Sequence, residues 1–257
     1  MPFMSRKNRI IFSLSLIVFI SCAVYLGVYS YNSRRAIKHF DELEQIVEAQ
    51  KLDENGKEVD YETNSEGKLI RYLDLSERNA DMVGWLSIEN TELNYPVMQQ
   101  ADNNDFYLNH NFDKVKQSGG LPVLDYECDI QKPSDNVVIY GHNMRNGSVF
   151  ATLTKYKKEN FVKEHSTIVL DTLYEHREYQ IMAVFNTKVG SDKEFRYHHF
   201  VETFSEEDFA QYVSKVKELS LYETGVGAKF GDNLLTLSTC SYGTSNERFV
   251  VVAKRIL

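Results

Sequence analysis

The sequence predicts a mainly β fold, a closed eight-stranded barrel with N-terminal helices and one helix-bearing insertion. Two observations predict it. Eight short runs rich in β-branched and aromatic residues recur between polar turns across residues 80–257. A closed barrel gives such strands a common core and leaves no exposed sheet edge. One connection, between the strand near Val184 and the strand near Leu234, is far too long for a turn and carries a helical pattern.

Residues 1–9 read as a short cytoplasmic tail bearing Arg6, Lys7 and Arg9. Ile10 to Tyr31 is almost continuously apolar, broken only by small or weakly polar residues such as Ser13, Ser15, Ser21 and Cys22. About twenty apolar residues cross a bilayer core of ~30 Å, so residues 10–31 are expected to form a transmembrane signal-anchor. Arg34, Arg35 and Lys38 follow the run, so basic residues flank both ends and counts alone do not orient it. The basic tail resembles a signal n-region and the chain beyond is acidic, which favours an inside N-terminus. No small-x-small site follows the run cleanly, against a cleaved signal. Phe19-Ile20-Ser21-Cys22 resembles a lipobox, but the chain stays apolar through Val28, where a lipidated segment would turn polar.

Residues 32–79 read as a helical connecting region. From Arg34 to about Leu52, Ile37, Phe40, Leu43, Ile46 and Val47 recur at helical spacing, opposite Lys38, Asp41, Glu42, Glu44 and Glu48. The stripe has two uses, docking a partner or packing on its own domain. Asp53–Lys68, with Asn55-Gly56 and Ser65-Glu66-Gly67, reads as a loop, and a second short helix is expected over Leu69–Asn79.

The rest, residues 80–257, reads as one catalytic-sized β domain, about 180 residues being ample for a single core. Val83–Ile88 and Leu93–Met98 flank a turn at Glu89-Asn90-Thr91-Glu92 and form a hairpin. Further strands are expected at Leu121–Asp125, Asn136–Tyr140, Thr167–Leu173, Glu178–Lys188, Asn233–Cys240 and Arg248–Ile256. Inside the insertion, Ser205 caps an amphipathic helix whose first turn holds Glu206, Glu207 and Asp208. Phe209, Tyr212, Val213, Val216 and Leu219 form its apolar stripe. That insertion is expected either to wall a substrate groove or to serve as a stabilising surface helix.

Composition excludes several function classes. A net charge of −8 offers no basic footprint for nucleic acid. Three cysteines, one of them inside the apolar run, make no disulfide framework. Cys128 and Cys240 are therefore expected as free thiols, Cys128 an ordinary loop residue. His39, His110, His165, His176, His198 and His199 show no metal-ligand spacing, and adjacent His198 and His199 would diverge on a strand.

Strand alternation places the chemistry. Leu235, Leu237 and Thr239 share one face, and Thr236, Ser238 and Cys240 the other, small and polar as a groove floor should be. Arg248 opens an otherwise apolar strand and must reach solvent, a carboxylate or a site. The short loop Ser241–Glu247 would bring Arg248 beside Cys240. A thiol needs a base or cation to ionise near neutrality. His142, in Tyr140-Gly141-His142-Asn143, supplies a proton-transfer group, and a guanidinium can hold an oxyanion. These residues point to acyl transfer through a thioester.

Thr236-Leu237-Ser238-Thr239-Cys240, Arg248 and Val138–Met144 around His142 together resemble the sortases, membrane-anchored cysteine transpeptidases of Gram-positive bacteria. Asn79–Leu86, Tyr95-Pro96-Val97, Asp102–Leu108 and the helix-bearing insertion are most similar to class B. The resemblance implies a sortase-type barrel with Cys240, His142 and Arg248 as catalytic residues. It also implies Ser238, Asn104 and Leu108 as substrate contacts, each of which has an ordinary packing or loop role as its alternative. It implies cleavage after the threonine of a C-terminal sorting motif in an exported protein, and transfer to an amine of a peptidoglycan precursor or cross-bridge. No metal or organic cofactor is required. Ser241-Tyr242-Gly243 departs from family members that carry acids after the cysteine, so no acidic partner is assigned there. A hydrolytic cysteine peptidase and a non-enzymatic surface binding domain remain the alternatives at this point.

Overall fold

No proline interrupts the chain between Arg6 and Ala49, so nothing stops helical hydrogen bonding at the expected boundary near residue 32. In the computed structural model, which describes residues 6–51, 59–132, 134–190, 195–240 and 246–257, one helix α1 runs from Arg6 to Ala49. The apolar run and the amphipathic stretch are thus a single rod rather than two elements. Residues 10–31 touch little else, with Phe12, Phe19 and Leu26 more than half exposed. Beyond them Ala36, Phe40, Leu43 and Val47 are buried against the body of the protein. The stripe therefore packs on its own chain, although Ile37, expected on it, is exposed. The expected Asn55-Gly56 turn lies outside the described residues.

Leu69 leads into a 3₁₀ turn, Ile70–Tyr72, and a short helix α2, Leu73–Arg78, in place of the single helix expected there. A buried polar cluster fastens this segment to the barrel. The Tyr72 hydroxyl donates to Asp171 Oδ2 at 2.5 Å, and Arg71 bridges Asp60 at 2.9 Å and Asp171 at 3.7 Å.

The barrel strands are β1 (Met82–Ser87), β2 (Asn94–Met98), β3 (Val123–Leu124), β4 (Asn136–Gly141), β5 (Thr167–Thr172), β6 (Glu178–Lys188), β7 (Leu234–Cys240) and β8 (Glu247–Arg255). They close in the order β1-β2-β3-β4-β7-β8-β6-β5. β3 is the one marked departure from expectation. It keeps two residues of the expected Leu121–Asp125 because it bridges parallel to Met98 and antiparallel to β4 before turning away. The β4–β7 pair is parallel, and its crossover contains helix α3 (Glu159–Glu164) and the β5–β6 hairpin.

Alternation along the strands separates two cores. Val137, Ile139, Leu235, Leu237, Phe249 and Val251 fill the barrel interior. Val250, Val252, Ala183 and Phe185 face outward and are covered by α4 (Glu206–Leu219) through Phe209, Tyr212, Val213 and Val216. The Ser205 hydroxyl caps α4 by accepting from the Asp208 N–H at 3.1 Å. Burying four such side chains is worth about 1.5–3 kcal/mol each, so the insertion helix is an integral part of the fold.

Candidate active site

Three strand ends converge at one edge of the barrel. β4 and β7 run parallel, with Tyr140 opposite Ser238 and Gly141 opposite Thr239. β8 returns antiparallel, with Ser238 opposite Val250 and Cys240 opposite Arg248. Residues directly opposed across a sheet project on the same face, with Cβ atoms about 4.5–5.5 Å apart. Cys240 and Arg248 therefore stand side by side, on the face that Thr236 and Ser238 share. His142 directly follows Gly141, the last residue of β4, whose partner Thr239 directly precedes Cys240.

The positions are locked by short polar contacts. The Thr239 hydroxyl donates to the Gly141 carbonyl at 2.7 Å, tying β7 to β4 one residue before Cys240 and His142. Asn143 Nδ2 donates to the Cys240 carbonyl at 3.2 Å. The Phe150 N–H donates to the His142 carbonyl at 3.0 Å, closing the loop that follows the histidine. A Cβ at position 141 would meet the Phe150 ring at 2.7 Å, so any residue but glycine forces the ring to shift.

A cleft of about 320 Å³ opens over these residues. It gathers all six residues expected from sequence, namely Cys240, His142, Arg248, Ser238, Asn104 and Leu108. Cys240, His142 and Arg248 are each half-buried, accessible to a peptide but shielded from bulk water. Asn104 is fixed by accepting the Tyr126 N–H at 2.9 Å. Burial pushes the His142 pKa below its ordinary 6.5. The Leu108 carbonyl, hydrogen-bonded to the ring, pulls it back up, and the Arg248 charge lowers it further.

The cleft has a second wall, whose individual residues sequence reasoning missed. Val189, Tyr197 and His198 of the insertion, with Asp105 and Tyr140, complete the lining. Tyr197 and Ser238 share a hydrogen bond of 2.7 Å between their hydroxyls, which pins the insertion to β7 two residues before Cys240. The Tyr140 hydroxyl donates to Asp125 Oδ2 at 2.7 Å. Tyr140 was recoverable from its place two residues before His142. Tyr197 and His198 carry no periodic signal, because they lie on a 3₁₀ turn, Tyr197–His199, and not on the strand on which the two histidines were expected to diverge. The turn keeps the His198 and His199 rings 4.5 Å apart. The insertion thus fills both expected roles, α4 as a stabilising cover and the turn before it as a groove wall.

Cys128 and Cys240 are both free thiols. Cys128 is buried, its Sγ accepts from the Val138 N–H at 3.4 Å, and burial raises its pKa to about 12, so it is an inert structural thiol. Among the described residues no cluster of His, Cys, Asp and Glu has the arrangement of a metal site. Ser241-Tyr242-Gly243 lies outside the described residues.

Comparison with known proteins follows the same lines. The family model described as Sortase domain matches residues 86–256. Sortase B of Listeria monocytogenes is 37% identical over 199 residues, covering 76% of this chain and 78% of that protein. The structure of a Staphylococcus aureus sortase B–substrate complex superposes with a TM-score of 0.75 at 26% identity, covering 87% of this chain and 97% of that one. Sortase B from B. anthracis in complex with AAEK1 gives a TM-score of 0.74 at 29% identity, covering 87% and 97%. The hydrolytic-peptidase and binding-domain alternatives are not favoured by these similarities.

Proposed function

The chain belongs to the sortase family, as a class B sortase, and from that premise we propose how its residues divide the reaction. The enzyme is a cysteine transpeptidase that anchors proteins to the cell wall by acyl transfer through a thioester. Cys240 is the nucleophile. It attacks the threonine's own carbonyl carbon in the sorting motif as His142 accepts the thiol proton. Arg248 holds the tetrahedral oxyanion. When the carbon–nitrogen bond breaks, His142 passes that proton to the departing amine, leaving the thioester on Cys240. An amine from a peptidoglycan precursor or cross-bridge then attacks the thioester and loses its proton to His142, which returns it to the departing Cys240 thiolate as the amide forms.

The observation that carries this assignment is the register of three adjacent strands, which aligns Cys240 with Arg248 and ties Thr239 to Gly141 beside His142. Ser238, Asn104 and Leu108 contact the sorting peptide, a role supported by their place on the same cleft.

Residues 1–9 form a cytoplasmic tail, 10–31 a single-pass membrane anchor, 32–79 a connecting region and 80–257 the extracellular catalytic domain. The reading is supported by a helix long and apolar enough to cross a bilayer, with none of its most apolar window buried. A library of threonine-containing peptides, with and without cell-wall-type amines, tests the assignment. Cleavage that shifts to an amide adduct with amine, and that is lost in Cys240→Ala, supports it. Acid as the sole product despite saturating amine contradicts the transfer half of the reaction.

A further inference from the structure

A second cavity, of about 170 Å³, lies away from the cleft, between α1 and the hairpin closed by the His110–Lys116 bridge. We infer that it binds the phosphate of an anionic phospholipid headgroup, an inference that rests on reading residues 10–31 as the membrane anchor. Its location is the first argument. The lining runs along α1 from Tyr29, inside the apolar run, to Ala36, which is buried against the body. Those seven steps rise about 10 Å, enough to cross the polar layer of one leaflet. Tyr25, Tyr29 and Tyr31 mark that level, where amphipathic aromatic rings prefer to sit.

Its chemistry is the second argument. Arg35 and Lys116 both line the cavity, and no aspartate or glutamate does. Neither cation has an ion-pair partner among the described residues, whereas the neighbouring charges are already matched. Arg78 holds Asp113 at 2.6 Å, and Lys114 reaches Asp81 at 2.9 Å. Gln117 Nε2, also on the lining, is a buried donor with no acceptor among the described residues. A buried donor is normally satisfied, and a phosphate oxygen would satisfy this one while Arg35 and Lys116 neutralise the charge. Room for several water-sized groups, each about 30 Å³, suits a phosphodiester.

Occupation would bear on the active site. The cavity wall includes Met144 and Asn146, which follow His142, and Asn146 Nδ2 donates to Ser33 Oγ of α1 at 2.8 Å. A headgroup bound there fixes the histidine loop at the membrane surface.

The test uses the full chain. Flotation with phosphatidylcholine vesicles reports the anchor, and native mass spectrometry of protein released from discs of mixed phosphatidylglycerol and phosphatidylcholine reports the cavity. The expected result is flotation with neutral lipid and retention of phosphatidylglycerol over phosphatidylcholine by about tenfold. In the Arg35→Gln/Lys116→Gln double variant that preference should fall to parity while flotation and melting temperature stay unchanged. Flotation without any phosphatidylglycerol preference, or a preference untouched by the double variant, overturns the cavity assignment alone. Displacement of the lipid by millimolar inorganic phosphate would reassign the cavity to a free oxyanion. Failure to float sinks the anchor reading and this inference with it.

Discussion

Cys240 and Arg248 are directly opposed residues on antiparallel strands β7 and β8, so the backbone ladder itself sets the two side chains beside one another. Substituting Arg248 should therefore damage the reaction while sparing the fold. Arg248→Gln is expected to lower kcat/KM by about 10²–10³-fold, the usual cost of losing one oxyanion donor. Arg248→Lys should recover little of it, because a point ammonium does not reproduce the guanidinium fork. Steady-state kinetics and a denaturant melt on the same samples check both halves of the statement.

Arg248 also contributes, behind burial, to lowering the His142 pKa. Burial first, and then the Arg248 charge, hold the histidine pKa below 6.5. In Cys240→Ala, which removes the thiol from the titration, NMR of the His142 ring should give a midpoint below 6.5. Adding Arg248→Gln should move it upward. The sign for stability follows. A histidine whose folded pKa is depressed takes up its proton less readily folded than unfolded. Its neutral form is accommodated above about pH 6.5, and stability is lost as pH falls from there through the folded pKa. A midpoint above 6.5 in Cys240→Ala would contradict the electrostatic picture.

Gly141 bears on stability and activity together. A methyl group there would meet the Phe150 ring at 2.7 Å, with ring atoms on either side. Gly141→Ala is expected to cost about 1–3 kcal/mol through overpacking. It should also lower kcat, because the ring can move only by displacing the loop that closes on the His142 carbonyl. A urea melt compared with turnover measures both.

Tyr197 tests the insertion as a groove wall. Tyr197→Phe removes the hydroxyl contact with Ser238 and keeps the ring. The expected stability loss is about 0.5–1.5 kcal/mol, with a rise in KM for the sorting peptide larger than any fall in kcat. An unchanged KM would mean that the wall and the groove floor are not coupled.

The Asp171 cluster carries stability without chemistry. Asp171 is buried among Tyr72, Arg71 and His176, the last at 2.6 Å. Asp171→Ala leaves the buried Tyr72 hydroxyl without its acceptor while Arg71 keeps Asp60, and should cost about 1–3 kcal/mol. Peptide turnover per folded molecule, measured well below the new melting temperature, should be unchanged.

These relationships divide into those that alternation reveals and those that it does not. β6, β7 and β8 were legible because long runs of β-branched residues alternate cleanly, and Cys240 and Arg248 flank a short connection. β3 was overestimated because Leu121, Pro122 and Val123 are apolar for packing while only Val123 and Leu124 pair. The parallel β4–β7 pairing joins residues 98 apart, and no local pattern announces a partner at that distance. His142 was therefore found by its motif rather than by geometry. The rod-like α1 escaped because polar Asn32, Ser33, Arg34 and Arg35 read as a boundary, although none of them stops a helix. Tyr197 and His198 escaped because a 3₁₀ turn has no amphipathic period to read.

The central claim is that a peptide becomes covalently attached to Cys240 before reaching its acceptor. Intact-mass analysis of the enzyme, quenched in acid during turnover of a cleavable peptide without amine, tests it most directly. The account predicts an adduct of the acyl fragment, mapped by proteolysis to Cys240, discharged when amine is added and absent in Cys240→Ala. Cleavage that proceeds with no adduct, or that persists in Cys240→Ala, would contradict it.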